Sequence, residues 1–166
     1  MVPSIASGSS HADRRNTGNG RLPMRAGGAS EDPNVIRFPA MTLRNRMSAL
    51  LVDNHRCCRL VQMGMLQYYG IETQAVETAQ AAIDLLTSGH LFDLIVIDSR
   101  LPVLNGIETT RHIRTMGVCS KIAGLIGSSR ERDRQAFLDA GADAVFEKPL
   151  VPERLVPMLM QMDGQI

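Results

Sequence analysis

The chain has 166 residues, a net charge of +1 and a 44% hydrophobic content. That suits one folded domain with a tail, and leaves no overall charge for gripping nucleic acid or an anionic membrane. No run approaches the ~18 apolar residues of a membrane span, and no apolar segment follows the first methionine as a secretion signal would.

Cys57, Cys58 and Cys119 show no Cys-x-x-Cys spacing. Their pattern argues against a disulfide framework or a zinc site and for a reducing compartment, cytosol or nucleus. Charge is unevenly spread. Residues 1–47 hold seven arginines and three acids, leaving +4 there and −3 in the remainder. This segment is rich in Ser, Gly, Asn, Pro and Arg and has no helical or strand period. It cannot bury enough apolar surface to offset its ordering entropy, so a disordered tail is expected. Its arginines suit an organelle transit peptide, but no amphipathic helix is visible, nor a recognition helix for DNA.

From Ser48 onward the punctuation is regular. Ser48 to Asp53 is a short apolar strand ending on an acid. Arg56 to Tyr69 has helical character and Gly70 is its natural stop. Ile71 to Val76 is a more polar strand, suited to a sheet edge. Thr78 caps a helix whose Ala79, Ala82, Ile83 and Leu86 fall on one face. Leu94 to Ile97 is a continuous apolar run, as in a strand buried on both faces, and it ends on Asp98. Pro102 keeps Leu101 out of helical geometry, and Asn105-Gly106 supplies turn chemistry before a helix over Ile107 to Met116.

Lys121 to Ile126 is the fourth strand, followed by a loop through Gly127-Ser128-Ser129. Arg130 to Ala140 is a charged helix burying Ala136, Phe137 and Ala140, stopped by Gly141. Ala144 to Lys148 is the fifth strand, followed by Pro149. A last helix starts near Pro152 with Leu155, Leu159 and Met162 facing inward, and Pro157 is expected to kink it.

Five strand–helix pairs predict an α/β fold, a doubly wound parallel sheet with right-handed crossovers. The flavodoxin-like order 2-1-3-4-5 is the economical topology, with its switch point between strands 1 and 3. Those strands end on Asp53 and Asp98, so both carboxylates should meet there. Two acids in one crevice call for a cation, and Mg2+ is commonly held by one or two carboxylates together with phosphate oxygens. Lys148, at the end of strand 5, would bring a point charge suited to a phosphoryl group or, more simply, an ion pair with Asp98. This set reads as an aspartate able to accept phosphate as an acyl phosphate.

These residues carry a family resemblance. Leu51-Val52-Asp53, Asp98 followed by Leu101-Pro102 and Asn105-Gly106, Ala140-Gly141-Ala142-Asp143, and Lys148-Pro149 together resemble the receiver domain of two-component response regulators, over about two thirds of the chain. Val118 to Leu150 is most similar to the plant type-C regulators, which have a receiver and no output domain. The implied organisation is a tail over 1–47 and a receiver over 48–163. The resemblance implies that Asp98 is the phosphoacceptor and Lys148 its phosphoryl contact. Asp53 and the backbone carbonyl of Arg100 would ligate Mg2+ with Asp98. It also implies phosphate transfer from a histidine-phosphotransfer protein to a monomer, with Mg2+-dependent hydrolysis afterwards.

Three positions depart from that pattern. Asn54 stands where a second acid contacts the metal; its amide carbonyl can still ligate Mg2+, but a charge is lost, so weakened Mg2+ binding is expected. Ile126 stands where a Thr or Ser binds the phosphoryl oxygen. Val145 stands where a switching aromatic is usual, with Phe146 adjacent. Two readings follow: a phosphoacceptor with phosphatase-like turnover, or a pseudo-receiver that docks a phosphotransfer protein without chemistry. A haloacid-dehalogenase-type phosphatase is excluded because Arg100, and not an acid, lies two residues after Asp98. No Gly-rich loop supports nucleotide binding. Cys57 and Cys58 are expected to be buried structural thiols. His55, beside the crevice, either tunes the metal site or, more simply, faces solvent from its loop. His112 is expected on a helix surface, and Arg130 to Arg134 as a solvated helix face laced with ion pairs.

Overall fold

The computed structural model describes residues 38–128 and 130–165. The expected disordered tail lies, over residues 1–37, outside the described residues. Ten elements alternate along the chain: β1 Ser48–Val52, α1 Arg56–Tyr68, β2 Glu72–Val76, α2 Ala79–Thr87, β3 Leu94–Asp98, α3 Gly106–Thr115, β4 Lys121–Ile126, α4 Glu131–Asp139, β5 Ala144–Glu147 and α5 Pro152–Met162. The strands form one parallel sheet in the order β2-β1-β3-β4-β5, the order expected above.

Strand alternation splits the interior into two cores. Ala49, Leu51, Leu94, Val96, Ala123 and Leu125 pack toward α1 and α5. Leu50, Val52, Ile95, Ile97, Ile122 and Ile126 pack on the other face, toward α2, α3 and α4. β3 is buried at all five positions because both faces are covered, which explains its unbroken apolar run. β2 lies at an edge and is its polar counterpart, with no fully buried residue.

Several expectations shift. Residues 38–47 belong to the packed body: Phe38, Met41 and Leu43 lie against the α1–α5 core, and Met47 is buried. Phe38 stacks on Tyr68 with ring centroids 4.5 Å apart. Their scattered apolar residues have no period, which is why the sequence looked tail-like. α5 runs from Pro152 to Met162 with Pro157 inside it. Pro157 and Glu153, whose carbonyl it deprives of a partner, both lie on the exposed side, where water can satisfy that carbonyl. Ala136 is only half-buried, while Phe137 is fully enclosed. Gly124 makes room for it, since a Cβ there would stand 2.7 Å from the Phe137 ring. Within the charged run, Arg134 is half-buried and donates to the Val145 carbonyl at 2.7 Å.

Candidate functional site

The register of β1 and β3 brings the two acids together. Val52 lies opposite Ile97, so one step further Asp53 faces Asp98. Strand alternation then sends both carboxylates to the α1–α5 side, because the preceding Val52 and Ile97 point the other way. Both are buried, Asp53 at 0% and Asp98 at 2% exposure. Lys148, the residue just past β5, reaches in from that side. Its Nζ donates to Asp98 Oδ2 at 2.6 Å and to Asp53 Oδ2 at 3.2 Å.

The two aspartates are held in the same way. Asp53 Oδ1 accepts the backbone N–H of His55 at 2.8 Å, and Asp98 Oδ1 accepts that of Arg100 at 3.1 Å. An Asp at a strand end bonds the backbone two residues on, so each loop fixes its own acid and leaves the second oxygen for the lysine. The loop after Asp98 is tightly built. Leu104 N–H donates to Pro102 at 2.8 Å across Val103, whose φ of 69° makes a strained turn for a β-branched residue. Asn105 then caps α3 by a capping box with Glu108.

Burial works against the Lys148 charge. The hydrogen bond and charge of Asp98, followed by those of Asp53, outweigh it and raise its pKa above the ordinary lysine value. Three charges thus share one small notch, with the carboxylates one negative charge in excess. Among the described residues one group of metal-ligating side chains comes together here: Asp53, His55 and Asp98, with ligand atoms within 4.8 Å of one another. Two carboxylate oxygens and one imidazole nitrogen at an open mouth fit a divalent cation.

Other expected residues fall as follows. Arg100 is exposed and turns its N–H to Asp98. Asn54 is exposed and makes no side-chain hydrogen bond among the described residues. Ile126 is 1% and Val145 5% exposed, both in the core that faces α2, α3 and α4. Phe146 packs on the opposite core, so strand alternation bars it from standing in for Val145. Against the expectation of buried thiols, Cys57 is exposed and Cys58 half-buried; Cys119 is exposed as well. His112 is exposed as expected.

Sequence reasoning missed Gln62. Its Nε2 donates to Asp53 Oδ2 at 3.2 Å, and its Oε1 is buried with no partner among the described residues. The available signal was a polar residue on the inward stripe of α1 that Met65, Leu66 and Tyr69 continue.

Residues 49–160 match the family model described as the response regulator receiver domain. The chain belongs to this family. The receiver is 33% identical over 135 residues to Two-component response regulator 24 of Arabidopsis thaliana, covering 81% of this chain and 92% of that relative. Among solved structures it resembles the receiver domain of the sensor histidine kinase PA1611 of Pseudomonas aeruginosa, which has a magnesium ion coordinated in its active-site cleft. That match has 27% identity and a TM-score of 0.63 and covers 72% of this chain and 99% of that one. It also resembles, at 20% identity and a TM-score of 0.68, a chain in the co-crystal of the Saccharomyces cerevisiae histidine phosphotransfer protein Ypd1 with the receiver domain of its downstream regulator Ssk1. There the match covers 75% of this chain and 92% of that one. No described helix of the receiver is long and apolar enough to cross a membrane.

Proposed function

We propose that this receiver accepts a phosphoryl group on Asp98 from a phosphohistidine on a histidine-phosphotransfer protein, and afterwards releases it to water. The observation that carries this reading is the meeting of Asp98 with Asp53 and Lys148 at the carboxyl edge of the sheet. A carboxylate oxygen of Asp98 forms a bond to phosphorus while the P–N bond of the donor breaks and its imidazole leaves with a proton. Lys148 meets the charge on the transferred group, and Asp53 keeps that ammonium in place. A Mg2+ ion bound to Asp53 and Asp98, with the Arg100 carbonyl as a further ligand, would neutralise charge on the phosphoryl oxygens. Water attack on the acyl phosphate then restores Asp98 and yields inorganic phosphate.

The exposed face of α1 supports docking of the donor. Leu60 and Val61 on this helix are 51% and 67% exposed. Cys57, Val61 and Pro149 line a hollow of about 380 Å3 that Lys148 also borders. An apolar face next to the acceptor suits a helical partner carrying the phosphohistidine. The receiver matched in the Ypd1 co-crystal is consistent with such a partner.

A specific observation favours a second reading, a pseudo-receiver that binds the donor without chemistry. Ile126 is sealed in the core and offers no hydroxyl to a phosphoryl oxygen. The test is incubation of the full chain with a labelled phosphohistidine donor and Mg2+, beside Asp98→Asn. Label that reaches the protein, or leaves the donor as phosphate, only when Asp98 is present supports transfer. Label retained on the donor in both cases, with the donor still bound, supports the binding module.

A further inference from the structure

We infer that His55 is a third protein ligand of the cation in this notch, and that it turns the site from Mg2+ toward borderline transition ions such as Zn2+. This deepens the proposed function, since it concerns the same crevice. Its Nδ1 stands 3.7 Å from Asp53 Oδ1 and 3.7 Å from Asp98 Oδ2. A divalent ion bonded at about 2.1 Å holds neighbouring ligands about 3 Å apart when octahedral and about 3.4 Å apart when tetrahedral. The three ligand atoms already lie within 4.8 Å of one another, and drawing them in onto an ion completes a three-ligand set.

The placement is built in. The backbone N–H of His55 donates to Asp53 Oδ1, which holds the start of its side chain beside the notch. Its side chain is 60% exposed, which leaves the remaining coordination positions open to water or a phosphoryl oxygen. Asn54, the neighbour expected to supply a ligand, is exposed and engages neither acid. An uncharged amide thus follows Asp53, and the next residue supplies imidazole. Imidazole suits Zn2+ and its neighbours, whereas Mg2+ prefers oxygen alone. The same 3.7 Å spacing would also arise from a simple pairing of an imidazolium with the two carboxylates, and the experiment separates the two.

The probes are Mg2+, Mn2+ and Zn2+, titrated calorimetrically into the full chain with its three cysteines changed to serine, so that thiolates take no zinc. His55→Phe is compared in the same background. The expected result is a loss of at least tenfold in Zn2+ affinity, with the affinities of the oxygen-preferring Mg2+ and Mn2+ changed less than threefold. A second readout is the imidazole NMR spectrum, where Mn2+ should broaden the His55 resonances first and spare His90 and His112. Equal losses for all three ions, no loss for any, or an unbroadened His55 would overturn the inference. If Asp98 still takes label from the donor in that case, the proposed function stands without His55. If no divalent ion binds and Asp98 takes no label, both fall.

Discussion

The carboxylate of Asp163 accepts the backbone N–H of Arg44 at 2.7 Å, tying the C-terminal end of α5 to a segment 119 positions earlier. It also accepts the N–H of Asn45 at 2.9 Å and the side-chain amide of Gln165 at 2.6 Å. These donors, the Arg44 N–H foremost, lower its pKa from 3.8 to about 2. A folded value below the unfolded one stabilises the native state above the unfolded pKa, and that contribution is lost as pH falls from about 4 to about 2. Asp163→Asn should lower the urea midpoint at pH 7, and the gap to wild type should close over that acid window. Hydrogen exchange at Arg44 and Asn45 should accelerate in the variant.

Gly106 allows α3 to start against the end of β3. A Cβ there would run into the carbonyl oxygen of Asp98, and the Gly106 N–H donates to Ser99 at 3.0 Å. Backbone cannot yield cheaply, so Gly106→Ala should cost about 2 kcal/mol as an overpacking change. It should also displace Asp98 and slow labelling by the phosphohistidine donor. Asn105→Ala, which removes only the cap, should cost about 1 kcal/mol and leave labelling near wild type. Denaturant midpoints and labelling rates of the two variants check both statements.

Lys148 separates two carboxylates that would otherwise repel in a buried crevice. Removing one partner of such a cluster costs about 3 kcal/mol, so Lys148→Met should be strongly destabilised at pH 7. Lys148→Met with Asp53→Asn should recover part of the deficit, because one of the two facing carboxylates is then gone. In the wild type the lysine pKa is raised above 10.5. Its contribution is therefore complete at neutral pH and lost only as pH climbs through the folded value. Denaturation at pH 5, 7 and 10.5 tests the pattern.

Gln62 both supports Asp53 and buries an acceptor without a partner. Gln62→Leu loses one charge-assisted hydrogen bond but also removes the buried unpaired oxygen; the two effects oppose, so its stability should stay within about 1 kcal/mol of wild type. Gln62→Glu would add a third buried carboxylate and should cost more than about 2 kcal/mol at pH 7, recovering on acidification. Urea midpoints at pH 7 and pH 5 distinguish the two variants.

Much of this protein is written locally. Hydrophobic period and glycine stops marked every strand and helix to within a residue or two, because buried strands and one-sided helices must repeat at 2 and 3.6. Asp53, Asp98 and Lys148 were visible as charged residues ending apolar runs. The order of strands followed from connection rules, and the meeting of the two acids followed from that order.

What the tertiary structure alone decided depends on contacts between distant segments. Residues 38–47 have no repeat to betray that Asp163 and Tyr68 hold them. Gln62 sits on a helix face that only packing turns toward Asp53. The exposure of Cys57, and the reach of His55 Nδ1 toward both acids, depend on where α1 begins relative to the sheet edge. A sequence determines the period of burial along one element. Which side chain meets which, across a crevice a few ångströms wide, is set by register and helix rotation, and these form only when the whole sheet is packed.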